Sequence, residues 1–134
     1  MAETNVEIVD IVIDCTDPEL VATFWESLLG RPIVGRKGPY VWLKRLRDGA
    51  GLGFQRVVEP KMGKNRVHLD ISGPDISALK DRIEALGGQQ IHEYDEGGFL
   101  VMADPEGNEF CVVPTGTVDF DDEGRAHYLE DLGL

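Results

Sequence analysis

Hydrophobic and polar positions change period several times along the first half of the chain. Residues 9–13 (Val-Asp-Ile-Val-Ile) are rich in β-branched residues and predict a strand. Asp17-Pro18 is typical of a helix N-cap followed by proline at the first helical position. Apolar residues then recur at helical spacing until Gly30, where the helix is expected to end. Three short strands are predicted to follow, near Pro32–Gly35, Tyr40–Leu46 and Gly53–Val58.

The second half repeats this order of elements. Arg66–Ser72 alternates between polar and apolar residues, and Asp75 precedes a helical pattern that stops at Gly87-Gly88. Three strands are predicted after this helix, near Gln89–Tyr94, Gly98–Ala103 and Glu109–Pro114. The tail from residue 115 to 134 is acidic, and the pattern assigns no element to it.

The two halves are similar enough in spacing to indicate an internal repeat. A shift of 58 residues places Asp17 on Asp75, and a shift of 56 places Phe54 on Phe110. The sequence therefore predicts two copies of one βαβββ unit, over about residues 6–58 and 66–114, within a single domain.

Ionisable side chains concentrate on one face of the predicted strand at 66–72. Arg66, His68 and Asp70 share this face, and burying all three in an apolar core would be costly. The first strand has Asp10 and Asp14 on one face in the same way. These faces are therefore expected to lie in solvent or to line a polar pocket for a small molecule.

The net charge of −12 excludes nucleic-acid binding as the main role. The charge is unevenly placed, at −7 for residues 1–30, +8 for 31–66 and −13 for 67–134. The basic middle segment either faces an anionic ligand or pairs with the acidic segments, within the chain or across a dimer.

The sequence also indicates the cellular compartment of the protein. Its first residues are acidic rather than basic, so no secretory signal is expected, and no apolar run is long enough for a membrane span. Two cysteines are too few for a disulfide framework. We expect a cytoplasmic protein with reduced thiols that makes no contact with membranes.

Three motifs carry a family resemblance, and they cover about residues 6–114. They are Asp14–Pro18 with the following Phe24-Trp25 and Leu29-Gly30, then Lys64–Asp70, then Asp104–Phe110. In this order they resemble the glyoxalase-like subgroup of the vicinal-oxygen-chelate superfamily, which includes glyoxalases, bleomycin-resistance proteins and dioxygenases. The resemblance implies an α+β fold in which two tandem βαβββ modules form curved mixed sheets around a cleft. It also implies a homodimer.

Members of this family often bind a divalent metal in that cleft. The resemblance places the four ligands at Asp10, Gln55, His68 and Cys111. The family usually has Glu at the closing position, where this chain has Cys111, so the set departs from the pattern. A mixed oxygen, nitrogen and sulfur set favours zinc if a metal is bound. Packing in the core is the alternative role for Cys111.

Other side chains are candidates for catalysis or for lining the cleft. Asp10, His68 and Asp70 are the candidate catalytic residues, and Trp42, Arg66 and Phe99 are the candidate lining residues. For Trp42 and Phe99, packing in the core is the alternative.

Three functions fit these features. The preferred one is a small-molecule-binding protein similar to bleomycin-resistance proteins, with a degenerate metal site. The second is a metal-dependent lyase, isomerase or dioxygenase of the glyoxalase type that uses the same cleft. The third is an interaction protein whose cleft no longer binds a ligand.

Overall fold

A computed structural model describes residues 5–46, 49–93 and 99–128. The chain divides into two compact units. The first comprises residues 1–64 with 105–107, and the second comprises 65–104 with 108–134. No helix in the described ranges is long and apolar enough to span a membrane.

Over the described residues the architecture is mixed α+β, with two helices, two four-stranded sheets and one two-stranded sheet. The first unit contains β1 (Asp10–Cys15), α1 (Pro18–Leu29), β2 (Ile33–Lys37), β3 (Tyr40–Leu43) and β4 (Gly51–Arg56). The second unit contains β5 (Leu69–Ile71), α2 (Ile76–Ala85), β6 (Gln89–Glu93), β7 (Leu100–Ala103), β8 (Glu109–Val112), β9 (Val118–Phe120) and β10 (Ala126–Tyr128).

The core of the first unit lies between α1 and its sheet. Asp17 caps α1, and Gly30 ends it with a φ of 68° that suits glycine. The apolar face of α1 is wide, and it packs on β3 and β4, where Val41 and Phe54 are buried. The helix residues that are buried are Pro18, Val21, Ala22, Phe24 and Trp25.

The second unit has the same order of elements, but its helix buries fewer residues than α1 does. Asp75 caps α2, and Ile83 is the residue of this helix that is buried. Its sheet buries apolar side chains on both faces of β7 and β8: Leu100, Val101, Met102, Ala103, Phe110, Cys111 and Val112.

Strand order is the same in both units, and so is the register between the first two strands of each sheet. The first sheet has the order β1-β4-β3-β2 and the second has β5-β8-β7-β6, and the first two strands of each are parallel. Asp14 lies opposite Gln55, and Asp70 lies opposite Cys111. Asp14 and Asp70 therefore occupy equivalent positions in the two units, and the strands correspond at a shift of 56 residues.

The shift of 58 predicted from the sequence holds for the helix caps but not for these strands. Between strand and cap, the second unit has Ser72-Gly73-Pro74 where the first has Thr16 alone. The two extra residues mean that Asp10 and His68 are not at equivalent positions. By the strand register the counterpart of His68 is Val12.

Several strands differ in length from the prediction. β5 begins at Leu69 rather than Arg66, because its partner β8 begins only at Glu109. β3 ends at Leu43, before the expected Leu46. The expected strand limits Tyr94 and Gly98 lie outside the described residues.

A hairpin of β9 and β10 follows β8 in the second unit. Asp121 organises its turn by accepting backbone N–H bonds from Glu123 and Arg125, both at 2.9 Å. Its carboxylate also lies 2.9 Å from His127 Nε2. The hydrogen bond with His127 and those with Arg125 and Glu123 lower the pKa of Asp121 to about 2.

Candidate functional site

Two aromatic rings lie on the face of the first sheet that is distal to α1. Tyr40 and Trp42 alternate along β3 with the buried Val41 and Leu43, so they point to the opposite face. Their rings are stacked, with centroids 5.9 Å apart and an angle of 14° between the planes. Trp42 is half-buried and Tyr40 likewise, so part of each ring remains accessible.

Glycine on the neighbouring strands makes room for this pair. Gly53 lies opposite Trp42 in the ladder of β3 and β4, and a Cβ atom at Gly53 would overlap the Trp42 ring. Gly35 lies on the other side of Trp42, where a Cβ would be 3.9 Å from the ring and therefore in ordinary contact. The indole thus lies flat on the backbone of β4.

Polar groups border the rings along one row of the sheet. Lys37, Gln55 and Asp14 follow one another across the strands, through the register pairs Lys37–Tyr40, Tyr40–Gln55 and Gln55–Asp14. Lys37 is exposed and supplies a positive charge next to Tyr40. This face therefore combines a flat apolar surface with an ammonium group, a carboxylate and an amide.

Three donor side chains meet on the corresponding face of the second sheet. Asp70 on β5 lies opposite Cys111 on β8, and His68 precedes Asp70 by two residues, which places both on one face. One donor atom from each of the three lies within 4.8 Å of the other two. His68 Nε2 and Asp70 Oδ1 are 3.2 Å apart. His68 and Asp70 are exposed, whereas Cys111 is buried.

The remaining predicted residues of the second unit lie near this face or beyond it. Arg66 is exposed and precedes β5. Phe99 is half-buried and directly precedes β7. Both cysteines are buried and neither forms a disulfide. Cys15 Sγ lies 3.6 Å from the carbonyl oxygen of Gln55.

The Asp104–Asn108 turn has a structural role that the sequence pattern did not reveal. Asp104 is buried and accepts hydrogen bonds from the backbone and side chain of Asn108, at 3.0 to 3.2 Å. Glu106 accepts from Thr16 N–H and Oγ1 at 2.7 and 2.9 Å, and from Asp17 N–H at 2.6 Å. Because Asp17 is the N-cap of α1, the carboxylate of Glu106 stabilises the N-terminus of that helix.

The predicted metal ligands are only partly brought together. His68 and Cys111 do lie close together, and Asp70 joins them. In the first unit, Asp10 lies opposite Gly51 and Gln55 lies opposite Asp14. Asp10 is therefore displaced from Gln55 by four residues, or roughly 13 Å along the strands.

Sequence reasoning missed Tyr40, Lys37 and Gly53 as parts of the face distal to α1. The alternation Tyr-Val-Trp-Leu at 40–43 is the signal for the aromatic pair. Gly53 carries no such signal, because its role depends on the register between β3 and β4.

Comparison with known proteins identifies the family. The model of the glyoxalase-like domain matches residues 10–113. The chain belongs to the glyoxalase-like domain family. No curated protein matches it.

Solved structures share the fold of this glyoxalase-like protein. A glyoxalase-related enzyme from Fulvimarina pelagi is 19% identical, with a TM-score of 0.67 over 91% of this chain and 97% of that one. A glyoxalase/bleomycin resistance protein/dioxygenase family enzyme from Burkholderia phytofirmans is 16% identical, with a TM-score of 0.68 over 81% and 98%. A lactoylglutathione lyase from Agrobacterium tumefaciens is 20% identical, with a TM-score of 0.60 over 84% and 96%.

Proposed function

We propose that this glyoxalase-like protein binds a planar aromatic anion on the first sheet and that binding requires no metal. The observation that supports this proposal is the stacked pair of Tyr40 and Trp42, with the indole resting on Gly53. A flat ring can stack on or beside such a pair, in arrangements that stabilise aromatic contacts. Lys37, next to Tyr40 in the sheet, offers an ammonium group to a carboxylate of the ligand.

Titration with 1-naphthoate, quinoline-2-carboxylate and indole-3-carboxylate tests this proposal, with affinity measured by calorimetry in EDTA. We expect Trp42→Leu to weaken binding roughly 3- to 10-fold, since stacking contributes about 0.5–1.5 kcal/mol. Lys37→Gln should weaken it by about two- to fivefold, since an exposed charge pair contributes less.

Two matched variants control for nonspecific effects. Phe120→Leu removes an exposed ring in the hairpin, and Lys80→Gln removes a charge on α2. Both should bind the three acids as the parent does. Failure of all three acids to bind, or equal losses in the controls, would contradict the proposal.

A second candidate function is a metal-dependent lyase, isomerase or dioxygenase of the glyoxalase type. The proximity of His68, Asp70 and Cys111 supports it, because a divalent ion held there would polarise a substrate oxygen. The name of the Agrobacterium relative makes S-lactoylglutathione a reasonable first substrate to assay.

Turnover by protein loaded with zinc, nickel, manganese or iron(II) tests this second candidate. Activity should disappear in His68→Ala and persist in Asp14→Asn, which changes the equivalent carboxylate position of the first unit. A rate unaffected by His68→Ala would exclude a metal held by His68.

We also propose that the protein is a cytoplasmic homodimer. Two buried cysteines that form no disulfide agree with a reducing compartment. Light scattering after size exclusion measures the assembly, and a monomeric mass would reject the dimer.

A further inference from the structure

Opposite charges lie at the two edges of the first sheet, on its face distal to α1. Lys37 is on the edge strand β2 and Asp14 is on the edge strand β1, and both side chains are exposed. We propose that the ligand is a zwitterion whose carboxylate pairs with Lys37 and whose basic nitrogen, at the other end of its ring system, pairs with Asp14. This inference rests on the proposed binding of an aromatic anion to this sheet and adds a second charge to that ligand.

The strand order sets the distance between the two charges. The register joins Lys37 to Tyr40, Tyr40 to Gln55 and Gln55 to Asp14, so that one row crosses all four strands. Neighbouring strands are about 4.8 Å apart, which separates the backbones at Lys37 and Asp14 by roughly 14 Å. The two side chains are therefore too far apart to pair with each other, and a ligand that bridges them needs a ring system between its charges.

An apolar row runs beside this charged row. Trp42 lies opposite Gly53 on β4, and Gly53 lies opposite Val12 on β1. The Trp42 ring covers Gly53, and Val12 beyond it is 39% exposed, so apolar surface continues from the indole to the edge of the sheet. A planar ring that stacks on the aromatic pair can therefore extend toward Asp14 while it stays in contact with apolar groups.

Both charges are available to a ligand. Among the residues that the structure describes, no ion pair joins Lys37 or Asp14 to another side chain. The neighbouring Arg36 lies on the other face of β2, where it donates to Glu19 of α1. A carboxylate that approaches Lys37, or an ammonium group that approaches Asp14, therefore does not have to displace a protein partner.

The second unit retains the carboxylate of this arrangement without the aromatic pair. Asp70 occupies the position of Asp14 in the parallel strand pair. Val101 and Ala103, both buried, occupy the positions of the two aromatic residues. The combination of rings and opposite charges is thus specific to the first unit, and simple solvation of two surface charges is the alternative that an experiment must exclude.

Two ligands of matched shape isolate the contribution of the second charge. They are 6-(aminomethyl)naphthalene-2-carboxylate and 6-ethylnaphthalene-2-carboxylate, which share the acid and the rings but differ in the ammonium group. Calorimetry in EDTA at low ionic strength measures both affinities, and their ratio reports the preference for the zwitterion. We expect the parent protein to prefer the aminomethyl compound, and Asp14→Asn to lower the ratio about two- to fivefold, as for an exposed charge pair.

Two further variants show whether the effect is local. Asp81→Asn removes the same charge from an exposed position on α2 and should leave the ratio unchanged. Asp14→Lys should reverse the preference and should strengthen the binding of naphthalene-2,6-dicarboxylate, because an ammonium group then lies at each edge of the sheet. A purely structural role of Asp14 would not produce this reversal. Circular dichroism checks that the variants are folded.

The outcomes distinguish this inference from the proposed function. If both naphthoates bind with a ratio that Asp14→Asn does not change, the zwitterion is rejected, whereas binding of an aromatic anion stands. An equal fall of the ratio in Asp81→Asn also rejects the zwitterion, because the effect would then come from the net charge of the protein. If neither naphthoate binds and the three simpler acids also fail to bind, the proposed function is rejected together with this inference.

Discussion

The two units use the same strand register to present different chemistry. At the positions where the first unit has Val12, Asp14 and Gln55, the second has His68, Asp70 and Cys111. The first unit adds a stacked aromatic pair on glycine. The same backbone frame thus presents a stacked aromatic pair in one copy and a cluster of His, Asp and Cys side chains in the other, because neither feature alters the strand pairing.

The helices of the two units also differ, in how many of their residues are buried. α1 buries five residues, including Trp25, whereas Ile83 is the buried residue of α2. A helix that buries more apolar surface contributes more to stability. The first unit therefore combines its aromatic surface with a larger buried interface between helix and sheet.

Removing the largest buried side chain of α1 should produce the largest effect. Trp25 is 1% exposed and makes an edge-to-face contact with Phe24, with ring centroids 5.3 Å apart. We expect Trp25→Ala to lower the free energy of unfolding by about 3–5 kcal/mol, and Ile83→Ala to lower it less. Denaturant unfolding measures both, and Leu20→Ala on the exposed side of α1 is the control. A larger loss of unfolding free energy in Ile83→Ala than in Trp25→Ala would contradict the greater contribution of α1 to stability.

The close contact between Gly53 and Trp42 should produce the next largest effect. Gly53→Ala forces the indole to move, which we expect to cost about 1–3 kcal/mol of folding free energy and to shift the fluorescence of Trp42. Gly35→Ala is the matched control, since its Cβ would be 3.9 Å from the ring. Equal effects of the two substitutions would show that the indole does not rest on β4.

The hydrogen bonds of Glu106 at the N-terminus of α1 should have the third largest effect on stability. Glu106→Ala removes the acceptor of three hydrogen bonds from Thr16 and Asp17, at an expected cost of about 1–2 kcal/mol. The cost is moderate because water can replace the carboxylate at this partly exposed position. Thermal unfolding measures it, with Glu59→Ala, in the exposed segment that follows β4, as the control. An unchanged melting temperature would mean that Asp17 alone is sufficient to start the helix.

The hairpin, which is part of the second unit, should show the smallest effect, as a dependence on pH. The pKa of Asp121 is lowered from 3.8 to about 2. Its stabilising contribution is therefore complete above about pH 4 and is lost as the pH falls through about 2. NMR titration of the Asp121 carboxyl carbon checks the value, and Asp121→Asn should remove the dependence. A midpoint near 3.8 would show that the bonds to His127 and Arg125 do not persist.

The fold was predictable from the sequence because its signals are local. Asp17 and Asp75 mark the starts of the helices, and alternation marks the strands. The ends of β3 and β5 were less predictable, because they depend on where the partner strand stops. The hairpin was missed entirely, although Asp121-Asp122-Glu123-Gly124 is a turn-forming sequence.

The site was predictable only in part. His68 and Cys111 were identified from the family resemblance, and they do lie close together. Asp70 was not predicted to join them, because the strands of the two units correspond at a shift of 56 residues, whereas the helix caps Asp17 and Asp75 correspond at a shift of 58. The aromatic pair depends on Gly53, which acts by having no side chain, and a sequence pattern does not reveal this.

Glu106 also affects how the molecule can be divided. Residues 105–107 group with the first unit although residues 65–104 separate them from Lys64, where its main segment ends. A fragment cut after Lys64 would keep Thr16 and Asp17 but lose the carboxylate that binds them. Cleavage after Lys64 would therefore not release an intact first unit, and adding back the fragment that carries Glu106 is the expected way to restore it.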